Sequence, residues 1–136
     1  MPMERLFVYG TLMRRGSMHR LLDGEADLLG RGWVRGRLYR VADYPGLVAG
    51  GGPADRVWGE LYRLRGPGRV LARIDAYEGC ASSEPRPHEY RRQRLSVHLE
   101  DGRIVPAWGY VYLRPVHALQ RIPAGRYPPR DPGVEA

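Results

Sequence analysis

A single cysteine, Cys80, excludes any internal disulfide and leaves only a lone thiol. Lysine is missing altogether. All 22 basic residues are arginine, and with 15 acidic residues they give a net charge of +7. The arginines are scattered, with only Arg14–Arg15 and Arg91–Arg92 adjacent, and neither a glycine–arginine repeat nor a basic helical stripe occurs. The charge is therefore expected on a solvated surface, not at a nucleic-acid interface, and it suits an acidic small substrate equally well. No apolar run approaches the length of a membrane span, which excludes a spanning helix. The opening MPMERLFVYG has neither the basic n-region nor the apolar h-region of a signal peptide, so a cytoplasmic location is expected. His19, His88, His98 and His117 have no metal-ligand spacing with one another or with Cys80. The nucleophile elbow, the P-loop and the dinucleotide fingerprint are also missing.

What is present is organised around Phe7 to Arg15, FVYGTLMRR. An apolar strand (Leu6, Phe7, Val8, Tyr9) stops at Gly10, a residue free to take backbone angles others cannot. A tight loop through Thr11 and Leu12 follows, then a short helix from Ser17 to about Leu22, closed by Asp23–Gly24. A loop at the C-terminal end of a strand has backbone N–H groups without ladder partners and can grip a carboxylate or an oxyanion. An ordinary strand–turn–helix connection reads the same way, and nothing local separates the two.

The length of 136 residues fits one domain, 1–136, and 43% hydrophobic residues suffice for one core. The 18 glycines and 12 prolines lie between apolar runs and indicate many turns. Ala26 to Ala42 reads as extended, with Gly30, Gly32 and Gly36 as bulges or bends. Asp43 to Gly46 reads as a turn and Ala49 to Ala54 as a flexible loop. Val57 to Leu64 is a strand placing Trp58, Glu60, Tyr62 and Leu64 on one face, with Glu60 read as a buried acid paired to an arginine. A helix spans Arg69 to Glu78, and Cys80 to His88 forms a loop placed to act as a flap. Strands from Tyr90 to Leu99 and Ile104 to Leu113 are joined by a turn at Glu100–Gly102. The Pro/Gly-rich tail, 115–136, is expected to pack on the domain or to be partly disordered. The sum is an α+β fold, a small mixed curved sheet or barrel flanked by short helices.

Glu78 is the most informative residue. Val70, Leu71, Ile74 and Tyr77 fall within an arc of roughly 120° on their helix, and Glu78 falls inside it. Gly79 then ends the helix. A carboxylate on the apolar face is desolvated, and at a helix C-terminus it opposes the macrodipole; both effects raise its pKa. Such a group can accept and donate a proton near neutral pH, as a general acid/base must. A glutamate snorkelling to solvent from a fraying helix end fits the periodicity equally well. Cys80 has no base nearby in sequence and reads as an inert thiol.

Tyr9-Gly10-Thr11-Leu12, Gly16 with His19 and Leu22, Leu38-Tyr39 before Tyr44-Pro45-Gly46, Gly59-Glu60-Leu61-Tyr62, Ile74-Asp75-x-Tyr77-Glu78-Gly79, Tyr90-Arg91-Arg92 and Ile122-Pro123-x-Gly125-x-Tyr127 occur in that order. Together they resemble the γ-glutamylcyclotransferase-like family, above all its short bacterial members and γ-glutamylamine cyclotransferase. The resemblance implies a small mixed barrel. It implies an enzyme that converts a γ-glutamyl amine or γ-glutamyl amino acid to 5-oxoproline and the free amine, with no metal or cofactor. It also implies Glu78 as the acid/base, the backbone from Tyr9 to Leu12 as the holder of the glutamyl group, and Tyr90 close to that pocket. Arg14, or one of Arg91 and Arg92, is a candidate to hold the substrate α-carboxylate, although each reads first as an ordinary surface arginine. Met18 stands where many relatives have asparagine. The competing reading is a binding module that holds a carboxylate-bearing metabolite without turning it over. The expected partner is a small molecule, with no nucleic acid and no membrane.

Overall fold

The computed structural model describes residues 4–13, 18–81, 83 and 85–127. Its elements are β1 (Arg5–Val8), β2 (Ala26–Arg40), β3 (Pro45–Ala49), β4 (Arg56–Leu64), α1 (Pro67–Tyr77), β5 (Tyr90–Leu99), β6 (Ile104–Tyr112) and β7 (Gln120–Ile122). The fold is α+β. Strands β2, β4, β1, β6 and β5 neighbour one another in that order, and a short β2–β5 pairing at Gly32–Leu99 and Trp33–His98 closes them into a barrel. All these pairings are antiparallel except β1 with β6, which meet in parallel at Leu6 and Trp108. The far end of β2 leaves the barrel to pair with β3 and β7.

Strand β1 explains its own sequence. Side chains alternate across a strand, so a run that is apolar at every position must be buried on both faces. Phe7 points with Val34, Val57, Leu61, Val97 and Ala107 into the barrel core. Leu6 and Val8 point the other way, with Tyr62 and Leu64, against Val70, Leu71 and Ile74 of α1. Burying such a side chain contributes roughly 1.5–3 kcal/mol, so these three residues anchor α1 firmly to the outer face of the barrel. Pro67 opens the helix where its missing N–H costs nothing. The helix ends in a Schellman arrangement: Gly79 N–H donates to Ala76 O and Cys80 N–H to Asp75 O, with Gly79 at φ 74°. Glu78 is thereby fixed as the last right-handed residue of α1.

Several expectations change. The helix expected up to Leu22 is a single 3-10 turn, His19–Leu21, among the described residues; Ser17, its expected cap, lies outside them, as do Arg14, Gly16 and residues 128–136. Gly24, at φ 72°, does close the segment. Pro45 and Gly46, read as a turn, begin β3, because a proline at the first strand position removes no needed donor. Tail residues form β7 and pair with β2 at Leu38–Arg40. Of the expected helix face, Tyr77 is 40% exposed. Glu60 is half-buried and accepts the Tyr62 hydroxyl at 2.9 Å.

Candidate active site

At the end of β1 the barrel opens into a cavity of about 220 Å³. That is smaller than the ~300–1,000 Å³ typical of drug-sized ligands, and suits a small metabolite. All six residues singled out from the sequence, Tyr9, Gly10, Thr11, Leu12, Glu78 and Tyr90, line it. They arrive from the end of β1, the C-terminus of α1 and the start of β5.

The Gly10 loop uses its carbonyls internally. Gly10 O accepts from Met13 N–H at 3.0 Å, Thr11 O from Met18 N–H at 2.8 Å, and Leu12 O lies 2.9 Å from His19 Nδ1. The N–H groups of Gly10, Thr11 and Leu12 have no partner among the described residues. Main-chain donors without a described partner, on residues that line the cavity, can form a cradle for negative charge. Glycine is required at position 10 for a reason other than the one expected. Its φ lies outside the left-handed region, but a Cβ there would sit 2.8 Å from Cγ of Pro45. His19 braces the loop from behind, with its ring 5.8 Å from that of Tyr62.

The tyrosines are committed to structure. Tyr9 donates to Tyr110 O at 2.8 Å and accepts from Leu47 N–H at 3.1 Å. Tyr90 donates to Pro45 O at 2.7 Å. Burial pushes both phenols far above their ordinary value, so neither gives up a proton near neutral pH. Thr11 and Tyr77 join their hydroxyls at 2.9 Å across the mouth, tying the loop to α1.

The Glu78 side chain has no hydrogen-bond or ion-pair partner among the described residues. Burial, and then the charges of Glu89 and Asp75, push its carboxyl up to about 7 from an ordinary 4.5. Glu78 lines the cavity and is half-buried, which does not fit a side chain snorkelling out to solvent. Asp75 falls outside the apolar arc of α1, yet it is not solvated. It takes a bidentate hydrogen bond from Arg92 at 2.9 and 3.1 Å and the Tyr110 hydroxyl at 2.6 Å. Arg92 is thus spent on Asp75, Arg91 bonds Gln93 at an exposed position, and neither lines the cavity. β5 turns this pair toward α1 and solvent, as the surface reading of these arginines has it, and away from the role of holding a substrate carboxylate. Burial pushes the Cys80 thiol up to about 11, in keeping with an inert role.

A family model described as γ-glutamyl cyclotransferase, AIG2-like, matches residues 6–129. The chain belongs to this family. The γ-glutamylcyclotransferase family protein YtfP of Escherichia coli K12 is 36% identical over 93% of this chain and 98% of its own. The bovine γ-glutamylaminecyclotransferase is 38% identical over 72% of this chain; the match spans 58% of the bovine protein. Among solved structures, E. coli ytfP superposes with a TM-score of 0.63 at 36% identity, covering 91% of this chain and 96% of that one. A mouse AIG2-like protein superposes with a TM-score of 0.66 at 30% identity, covering 82% and 78%. No described helix is long and apolar enough to cross a membrane.

Within this γ-glutamyl cyclotransferase-family chain, sequence reasoning missed Tyr44, Pro45, Glu89 and Tyr110, which complete the cavity wall. Pro45 and Tyr110 stand in β3 and β6, far in sequence from the end of β1 where they wall the cavity; Glu89 precedes β5 immediately. The Tyr44-Pro45-Gly46 match was the one available signal for this wall.

The raised carboxyl predicts a pH effect on stability. Below about pH 4.5 Glu78 is neutral in both folded and unfolded chains and has no effect. As pH rises to about 7 and beyond, the unfolded chain ionises freely while the folded one resists, so stability is lost across that window. Above pH 7.5 the loss is on the order of 3 kcal/mol. Glu78→Gln is therefore expected to melt at a higher temperature than the parent at pH 8 and at the same temperature at pH 4. Thermal unfolding at the two pH values checks this, and equal melting points at pH 8 would contradict it.

Proposed function

We propose that this protein is a cofactor-independent cyclotransferase that converts a γ-glutamyl amine or γ-glutamyl amino acid into 5-oxoproline and the free amine, with Glu78 as general acid/base. One observation carries the reading: a carboxyl raised toward neutrality shares a small cavity with the N–H groups of the Gly10 loop, and neither has a partner among the described residues.

The α-amine of the γ-glutamyl group is an ammonium ion in water and not nucleophilic. Glu78 removes one proton. The free amine then attacks the γ-carbonyl carbon and closes a five-membered ring. The tetrahedral oxygen becomes negative, and the N–H groups of the Gly10 loop stabilise it or the substrate α-carboxylate. Glu78 returns its proton to the amide nitrogen, the C–N bond to the leaving amine breaks and the carbonyl re-forms. The ring nitrogen's surplus proton then leaves through Glu78, and the freed amine departs as an ammonium ion. Proton transfer of this kind is worth about 10²–10⁴ in rate. Folding the substrate so that amine and carbonyl meet can remove as much as about 7–11 kcal/mol from the barrier.

The test is 5-oxoproline release from a panel of γ-glutamyl amines and γ-glutamyl amino acids, measured by chromatography. At least one compound is expected to be turned over without added metal. Saturable binding of the panel with no 5-oxoproline at any enzyme concentration would instead establish the binding-module reading.

A further inference from the structure

The barrel has a second mouth at the start of β1, about 13 Å of extended chain before Tyr9. A separate cavity of about 180 Å³ opens there. Its floor is Leu61, Leu99 and Val105, and Arg5, Arg63 and Arg103 stand around it. Side chains alternate across a strand, so Arg5 shares the face of Phe7, and Arg63 that of Leu61. Arg103, one residue before β6, falls in step with Val105. Phe7, Leu61 and Leu99 belong to the barrel core, and Val105 packs against it. The inward face of the barrel thus ends, at this mouth, in a layer of guanidinium groups over an apolar floor.

The charge in this layer is not balanced from within. Arg5 and Arg63 stand directly opposite each other in the β1–β4 pairing, and like charges so placed destabilise a sheet. The nearby acids are already engaged. Asp27 pairs with Arg63 and Arg65, Asp101 with Arg103, and Glu4 with Arg94 and the Trp108 indole. No acid is among the described lining residues, and none pairs with Arg5 among the described residues. A β-bulge adds apolar surface at the same place. The β2–β4 register shifts between Leu28 and Gly30, so Leu29 is the extra residue. Bulges re-aim side chains at barrel rims, and Leu29 stands 41% exposed on the cavity wall.

We infer that this second mouth binds a small monocarboxylate with an unbranched apolar tail. The carboxylate meets the Arg5 guanidinium, whose planar fork matches its two oxygens, with Arg63 and Arg103 flanking it. The tail lies on Leu29, Leu61, Leu99 and Val105, where burying its methylenes stabilises the complex. The cavity is below the ~300 Å³ typical of drug-sized ligands, which keeps the tail short. An amino acid is disfavoured, because its ammonium group finds cations and no acid. The site makes no use of Glu78 or the Gly10 loop, so it stands or falls apart from the cyclotransferase reading.

The experiment is calorimetric titration of the full chain, at low ionic strength, with four probes: hexanoate, 1-hexanol, acetate and 6-aminohexanoate. Hexanoate is expected to bind saturably and at least about tenfold more tightly than each of the others, which lack the charge, the tail or the apolar tail end. Arg5→Gln should weaken hexanoate by at least about tenfold. Leu29→Glu sets an acid at an exposed position on the wall and should abolish binding. Circular dichroism confirms that both variants fold. Methyl resonances locate the ligand: those of Leu61, Leu99 and Val105 should shift with hexanoate, while those of Leu12, in the cavity beside Glu78, stay in place. Absence of saturable hexanoate binding overturns the inference. So does 1-hexanol or 6-aminohexanoate binding as tightly as hexanoate. Affinity that survives in folded Arg5→Gln and Leu29→Glu, or shifts at Leu12 alone, places the carboxylate elsewhere and overturns it too.

Discussion

Glu78→Gln is expected to lower kcat for 5-oxoproline release by about a hundred- to ten-thousand-fold while leaving the far-ultraviolet circular dichroism unchanged. Glutamine keeps the size and much of the polarity of the side chain, so the cavity stays intact, but it carries no proton to exchange near neutral pH. The effect should fall mainly on kcat, because the Gly10 loop and the tyrosine wall still bind substrate. In the parent, kcat/KM should rise with pH through about 7, following ionisation of the carboxyl that burial and its acidic neighbours have raised. Glu78→Asp, which draws the carboxylate back by one methylene, should be intermediate. If Glu78→Gln releases 5-oxoproline at the parental rate, Glu78 is not the proton carrier and the mechanism above is wrong.

Gly59→Ala should destabilise the protein by about 3 kcal/mol, the upper end of the ordinary cost of overpacking. Gly59 lies in β4 next to the pairing of Glu60 with Val8. A Cβ there would stand 2.1 Å from Val8 O and 2.8 Å from Cζ of Phe7. Neither can yield cheaply, since one is backbone in β1 and the other a ring that is 1% exposed in the barrel core. The urea midpoint should fall by more than about 1 M. Gly68→Ala is the control, with open space around its added carbon in the first turn of α1, and should be neutral or slightly stabilising. A Gly59→Ala protein as stable as the parent would mean that β1 and β4 lie further apart than described.

How much of this was readable in advance depended on whether the relevant physics was local. Strand β1, the break at Gly10, helix α1 and its end at Gly79 follow from runs, spacing and one left-handed position. The arc that catches Glu78 is likewise a property of one helix. Asp75 shows where that logic stops. It lies off the apolar arc and so reads as solvated, yet β5 and β6 pass along that flank and bring Arg92 and Tyr110 to it. Tyr44 and Glu89 meet across 45 residues, through a contact that no short window contains. β3 escaped because its first two residues, Pro45 and Gly46, carry turn chemistry that pairing with the far end of β2 overrides.

The parallel joint between β1 and β6 sets a condition on biosynthesis. Leu6 emerges from the ribosome long before Trp108, its neighbour across that joint, has been made. Until then the first strand has one open edge and two greasy faces, so early synthesis is the period of greatest exposure to self-association. Non-local closure of this kind is slow compared with hairpin or helix formation. The proposed pocket takes walls from both ends of the chain, Tyr9 and Tyr110, so a fragment stopping short of β6 would have no partial activity: shape and chemistry arrive together, late, or not at all.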